Sequence, residues 1–262
     1  MVIKPKKTIP EDLGDKKIQK VWDDKTGKFI DYESYAAVGK QFFDTIKSNT
    51  NISSEFEKFH DTSWFEKYML NCYQFSAAKD MTETKALQEL AIKAKGFEDF
   101  RKQAYEEVTS INRDVWLRVE MDSCIRGAVM GESWRSLEQS KDVYPYWQYK
   151  TEEDDRVREE HEALDNLVFK IGDPDGDDVF PPCDWNCRCH SEPLDDSDLT
   201  EQDLEVSEGK DYLTGKDENG KDYVDPDFRF NPGKQGPMTN DSDYFQVLPS
   251  ANKSDYESFD FE

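Results

Sequence analysis

The sequence predicts an α+β fold: a helical N-terminal region, then a small mixed α/β domain, then an acidic, loop-rich tail. Three observations carry this. No proline lies between Pro10 and Pro145, and across that stretch apolar residues recur at helical spacings of three and four. Two short runs rich in aromatic and β-branched residues, 143–149 and 167–171, then read as strands. After them the chain turns acidic: residues 151–262 hold 10 Lys and Arg against 33 Asp and Glu, nearly all of the −24 formal net charge.

Residues 1–32 are polar, are broken by Pro5, Pro10 and Gly14, and read as a flexible arm that orders on a partner. Residues 33–140 read as the helical region. There Asp80 and Glu83 have the spacing of a capping box ahead of Ala86, Leu87, Leu90, Ala91 and Ile92, and Gly96 is placed to end that helix. Val108, Ile111, Val115 and Val119 mark one helical face, and Met121, Ile125, Ala128 and Val129 continue an apolar stripe. The expected use of these stripes is bundle core.

The mixed domain is expected over 141–235. Pro145 favours an edge position for the first strand. A short charged helix is expected over 154–164, a turn over 173–178, and a rigid extended loop over 180–185. Residues 216–221 suit a hairpin turn, and the aromatic run 228–233 suits docking on the preceding domain. The acidic C-terminal tail is assigned to 236–262, where Tyr244, Phe245, Phe259 and Phe261 punctuate polar chain as anchors for a neighbouring surface.

Composition narrows the function classes. Of the 262 residues, 35% are hydrophobic and 35% charged, yet 6 Trp, 12 Tyr and 16 Phe argue for real cores. A DNA-binding surface needs clustered Lys and Arg, so DNA contact is disfavoured for the acidic C-terminal part, which suits a basic protein groove. No apolar run approaches the roughly 20 residues of a membrane span. The basic N-terminus lacks an apolar segment behind it, so no secretory leader is expected. Five cysteines, three of them at 183, 187 and 189, suit a reducing compartment or a metal better than a disulfide framework.

The informative residues fall in two blocks. Asp154, Arg156, Val157, Arg158, His161, Leu164 and Asp165 form the first. Pro181, Pro182, Trp185, Cys187, Arg188 and Cys189 form the second. In these residues and their spacing the chain resembles the phage Mu F-like head-morphogenesis family. The aromatic-Asn-Pro-Gly element at Phe230, Asn231, Pro232 and Gly233 adds to the likeness. Two positions depart from the pattern. Asn166 stands where the family carries Gly, and Asn tolerates the left-handed conformation that a Gly there would adopt. Cys183 and Asp184 replace the x-Gly of the family's Pro-Pro-x-Gly-Trp loop. The resemblance implies a minor head protein in the virion, at the head interior or portal vertex. Its implied partners are the portal protein and the inner capsid surface, and its implied role is assembly, not catalysis.

The same residues were weighed for chemistry. Arg156, Arg158 and Arg188 read as guanidinium clamps, with Asp154 and Asp165 as the natural carboxylate partners. No cofactor is required. A structural zinc is the metal reading, with His161, Cys187 and Cys189 as ligands and Cys183, Asp154 or His190 as the fourth. Against it, Cys-x-Cys is not the usual Cys-x₂₋₄-Cys knuckle, and one thiol is expected to face away from the other. Buried thiols packed as small apolar groups, or a disulfide in the virion, are the alternatives. Zinc would also suit a protein-interaction module outside any virion. The enzymatic reading is a Cys/His hydrolase, with Cys187 or Cys189 as nucleophile, His161 as base and Asp154 as orienter. No oxyanion element is evident for it. Asp173 to Asp178 invites calcium, but Gly176 is fourth and Asp184 twelfth where an EF-hand needs Gly sixth and Glu twelfth.

Overall fold

The computed structural model describes residues 13–26, 32–49, 63–108 and 114–239. The element order is α1 (Leu13–Asp23), α2 (Tyr32–Asn49), α3 (Ser63–Lys93), α4 (Phe97–Glu107), α5 (Asp114–Ser140), β1 (Tyr146–Lys150), α6 (Glu159–Glu162), β2 (Val168–Lys170), α7 (Pro174–Asp178), β3 (His190–Leu194), α8 (Asp196–Gln202), α9 (Gly209–Leu213), a 3₁₀ turn (Pro226–Phe228) and α10 (Pro232–Gln235). The fold is α+β, with the helical part preceding the sheet. The chain divides into two compact units. The first holds Met1–Ser48, Met69–Met121 and Asn240–Glu262, and the second Asn49–Tyr68 and Asp122–Thr239. The aromatic anchors expected in the acidic tail, from Tyr244 onward, lie outside the described residues.

In the first unit the described residues are helical. Residues 13–23, read in the sequence as part of a flexible arm, form α1 instead. Ile18 and Val21 are fully buried against Leu87, Ala91, Phe100 and Ala104, and Trp22 stacks on Phe100 with ring centroids 5.5 Å apart. Two apolar residues a turn apart suffice to seat a helix whose other faces are polar. The capping box read at Asp80 and Glu83 is corrected too. Both lie within α3, which runs on to Lys93, and they receive the buried ammonium of Lys17. Gly96 stands just before α4 rather than ending the previous helix. The Val108–Val119 face is not one helix: α4 stops at Glu107 and α5 begins at Asp114.

The second unit contains the sheet. β1 is central, with β2 and β3 antiparallel on either side, so Trp147 faces Phe169 across one ladder and Pro193 across the other. One core gathers Trp147 and Tyr149 of β1, Phe169 of β2, Met130, Trp134 and Leu137 of α5, and Phe180 from the loop after α7. Phe228 and Phe230 return to this core, as the sequence predicts. The hairpin expected over 216–221 is present as an antiparallel bridge between Lys216 and Asp222. Residues 173–178 are not a plain turn but the helix α7. Asp173 caps it, its carboxylate accepting from the backbone N–H groups of Gly176 and Gly209 at 3.2 Å each. That cap draws two backbones together. A Cβ on Gly209 would stand 1.9 Å from the Gly176 nitrogen. Gly209→Ala is therefore expected to destabilise the chain by about 1–3 kcal/mol, because the obstructing atom is main chain and cannot rotate away. A lowered urea midpoint with an unchanged denaturant slope would show it.

Candidate functional site

The second unit holds the motif residues, and three short elements set their geometry. Asp154 opens the turn before α6, and its backbone-facing oxygen accepts from Arg156 N–H at 3.1 Å. Its carboxylate also receives the Arg188 guanidinium in a bidentate pair at 2.8 and 2.5 Å. The hydrogen bonds from Arg188 hold the Asp154 carboxyl well below the usual carboxylate range. The clamp therefore stays charged through neutral pH and is lost only in strong acid. Arg156 adds a looser contact to Asp154 at 3.5 Å. Arg158 does not reach Asp165. It donates to the Trp185 carbonyl at 2.7 Å and lies 3.4 Å from the Asp184 carboxylate, tying α6 to the loop before β3. Asp165 instead accepts from the Thr151 backbone N–H at 2.7 Å, closing the β1–β2 connection. Asn166 takes a left-handed φ of 66°, as its replacement of Gly anticipates.

Pro181 and Pro182 are buried, with a cis bond between them, and lead into the buried Cys183. Trp185 packs edge-on against Phe228 at 5.1 Å. A turn follows in which the Cys187 N–H donates to Asp184 O at 3.1 Å and Asn186 has φ 57°. Because of this turn, residues 187–189 are not strand; β3 begins only at His190. The expectation that the two thiols face apart fails, because positions two apart in an alternating segment share a face. Both converge on His161, whose Nδ1 lies 3.8 Å from Cys187 Sγ and 3.9 Å from Cys189 Sγ. All three side chains are buried. Arg188, between them, points outward to Asp154, as an alternating segment predicts.

The other suggested ligands do not join this group. Cys183 donates its thiol to Val179 O at 3.2 Å and accepts from the Tyr149 hydroxyl at 3.5 Å. Asp154 is committed to Arg188, and His190 is the first residue of β3, paired in register with Lys150. Among the described residues, the His, Cys, Asp and Glu groups close enough to share one ion are His161, Cys187 and Cys189, with ligand atoms within 4.8 Å of one another. The hydrogen bond from Cys189, with help from His161, holds the Cys187 thiol well below the usual thiol range despite burial. Donating that bond pushes Cys189 up, and burial pushes up Cys183 and Tyr149. The Cys187–His161–Asp154 relay of the hydrolase reading is not assembled, since Asp154 pairs with Arg188 and not with the imidazole. None of the cysteines is disulfide-bonded. Sequence reasoning passed over Tyr149 as a partner of Cys183. Its two-residue spacing from the buried Trp147 was the available signal. It also passed over Ser123, whose hydroxyl receives Asn186 N–H at 3.0 Å.

With this geometry in view, the family comparison is decisive: residues 85–192 match the phage Mu protein F like family. This stretch is a Mu F-like segment. It includes the whole clamp, the His161 pocket and the first strands of the sheet. Two relatives of this chain are informative. The putative capsid assembly protein F of Escherichia phage Mu is 35% identical over 114 residues, covering 35% of this chain and 26% of that protein. The Mu-like prophage FluMu F protein of Haemophilus influenzae is 36% identical over 66 residues, covering 25% of this chain and 16% of its own length. The match thus spans about a quarter or less of either relative. No solved structure matches this chain significantly. No helix among its described residues is long and apolar enough to cross a membrane.

Proposed function

We propose that this chain is a minor head component of a tailed phage or prophage, acting in head assembly beside the portal or on the inner capsid surface. One observation supports this above the others. The spaced residues that define the family likeness close into a single cluster around a buried His161–Cys187–Cys189 centre. Asp154 and Arg188 clamp it, Arg158 ties it to Trp185, and His161 meets Cys187 and Cys189. A relative 35% identical over 114 residues bears the name putative capsid assembly protein F. A knot of paired arginines and buried thiols suits a rigid docking module, because its charges are spent on internal ties and not aimed at a substrate. The acidic charge after residue 150 suits basic protein surfaces and repels packaged DNA.

The test is co-assembly. The purified chain is mixed with the portal and major capsid proteins encoded beside it, and particles are separated by sedimentation. Association with portal or with assembled shells is expected, weakening as salt is raised. Deleting the gene is expected to lower the yield of DNA-filled heads. Absence of the chain from every particle, together with normal heads in the deletion strain, would overturn the reading.

A further inference from the structure

We propose that His161, Cys187 and Cys189 form a three-donor site for a zinc-class divalent ion, and that a solvent-borne ligand, water or a small anion, fills the fourth position. The inference rests on the second unit alone and stands apart from the head-assembly reading. Zinc bonds thiolate sulfur at about 2.3 Å and imidazole nitrogen at about 2.0–2.1 Å, which puts sulfur and nitrogen roughly 3.6 Å apart around a tetrahedron. The two measured nitrogen–sulfur separations, 3.8 and 3.9 Å, are within a few tenths of that edge. The donors sit on two independently anchored pieces of chain. His161 belongs to α6, while the thiols flank Arg188 in the loop that the Asp154 clamp and the Arg158–Trp185 bond pin in place. The trio is therefore pre-formed and not gathered by the ion.

Among the described residues no fourth donor joins the trio. Cys183 is turned to Val179 O and the Tyr149 hydroxyl, and Asp154 is taken up by Arg188. The trio instead opens on a small cleft whose other walls include Arg156, Arg158 and Arg188, with Glu152 as the one carboxylate. A coordination position left open by three protein ligands is the arrangement in which zinc keeps an exchangeable ligand. Arg156, exposed and only loosely paired with Asp154, leaves positive charge on this wall that favours an anion over a cation there.

The experiment uses the full chain expressed with added zinc, then exchanged into cobalt(II). One equivalent of zinc per chain is expected after dialysis, and the cobalt form should show a thiolate charge-transfer band of two-sulfur intensity. Cys183→Ala should leave that band unchanged. Cys187→Ala and Cys189→Ala should each remove about half of it or abolish binding. His161→Cys should raise it by about half, a gain that misfolding cannot mimic. Thiocyanate added to the cobalt protein should shift the ligand-field bands. A wild-type chain that retains no stoichiometric zinc overturns the site. A band that falls by a third in Cys183→Ala, or ligand-field bands indifferent to thiocyanate, overturns the open fourth position.

Discussion

Trp147→Ala is expected to destabilise the sheet-bearing unit by about 3–5 kcal/mol, the range for truncating a buried large aromatic. Trp147 is fully buried in the central strand. It stacks on Phe169 at 4.8 Å, meets Phe180 edge-on at 5.0 Å, and lies in the same core as Trp134 and Phe230. Truncation leaves a cavity bordered by three secondary-structure elements that no single rotamer change can fill. Hydrogen exchange at the β1 amides should rise steeply, since these bonds open only with the unit. Trp147→Phe should cost much less. The indole nitrogen finds no hydrogen-bond acceptor among the described residues, so only shape and area are lost. Equal effects of the two variants, or protection unchanged in the alanine form, would contradict this account.

Lys17→Met should destabilise the helical unit by about 3–5 kcal/mol, because it leaves buried carboxylate charge without its cation. The Lys17 ammonium is almost fully buried. It donates to Asp80 Oδ1 at 2.5 Å, to the Asp80 carbonyl at 3.0 Å and to Glu83 Oε2 at 2.9 Å. Replacing Asp80 with leucine in the same chain should recover most of the loss, since a buried pair exchanged for apolar residues of similar volume is often neutral. The pH dependence has a definite sign. Burial lowers the lysine's pKa, but the charges and hydrogen bonds of Glu83 and Asp80 outweigh it and hold the value above normal. The pair's contribution is then fully present below the ordinary lysine range and is lost as pH rises through the higher folded value. Urea midpoints of wild type and Lys17→Met should therefore converge in strong alkali and differ most at neutral pH.

How far the sequence could be read follows from where each residue finds its partner. Strand β1 and the return of Phe228 and Phe230 were legible because aromatic residues in short runs have few places to go except a core. The left-handed turn at Asn166 and the outward Arg188 were legible because backbone conformation and strand alternation are local properties. Asp80 was misread because its spacing from Glu83 imitates a cap, while its true partner lies 63 residues away. α1 was missed because only Ile18, Val21 and Trp22 seat it and most of the remainder is polar or charged. Strand β3 was missed because Ser191, Glu192 and Pro193 are partly or wholly exposed on a sheet edge and carry no strand signature. The convergence of the two thiols was misjudged, because the alternation that turns Arg188 outward also sets Cys187 and Cys189 on one face.

The return of residues 224–232 has a consequence for the order in which the molecule is made. Val224, Phe228 and Phe230 close one side of the Trp147 core, Asn231 donates its side-chain amide to Asp177 O at 2.9 Å, and the Tyr68 hydroxyl donates to Pro232 O at 2.9 Å. A ribosome releases β1 and the His161 loop long before these groups emerge from its exit tunnel. The nascent sheet therefore waits half-covered, and the last stitches are set only after synthesis has passed Pro232. Any truncation upstream of Val224 would leave a polypeptide that chaperones hold and proteases clear.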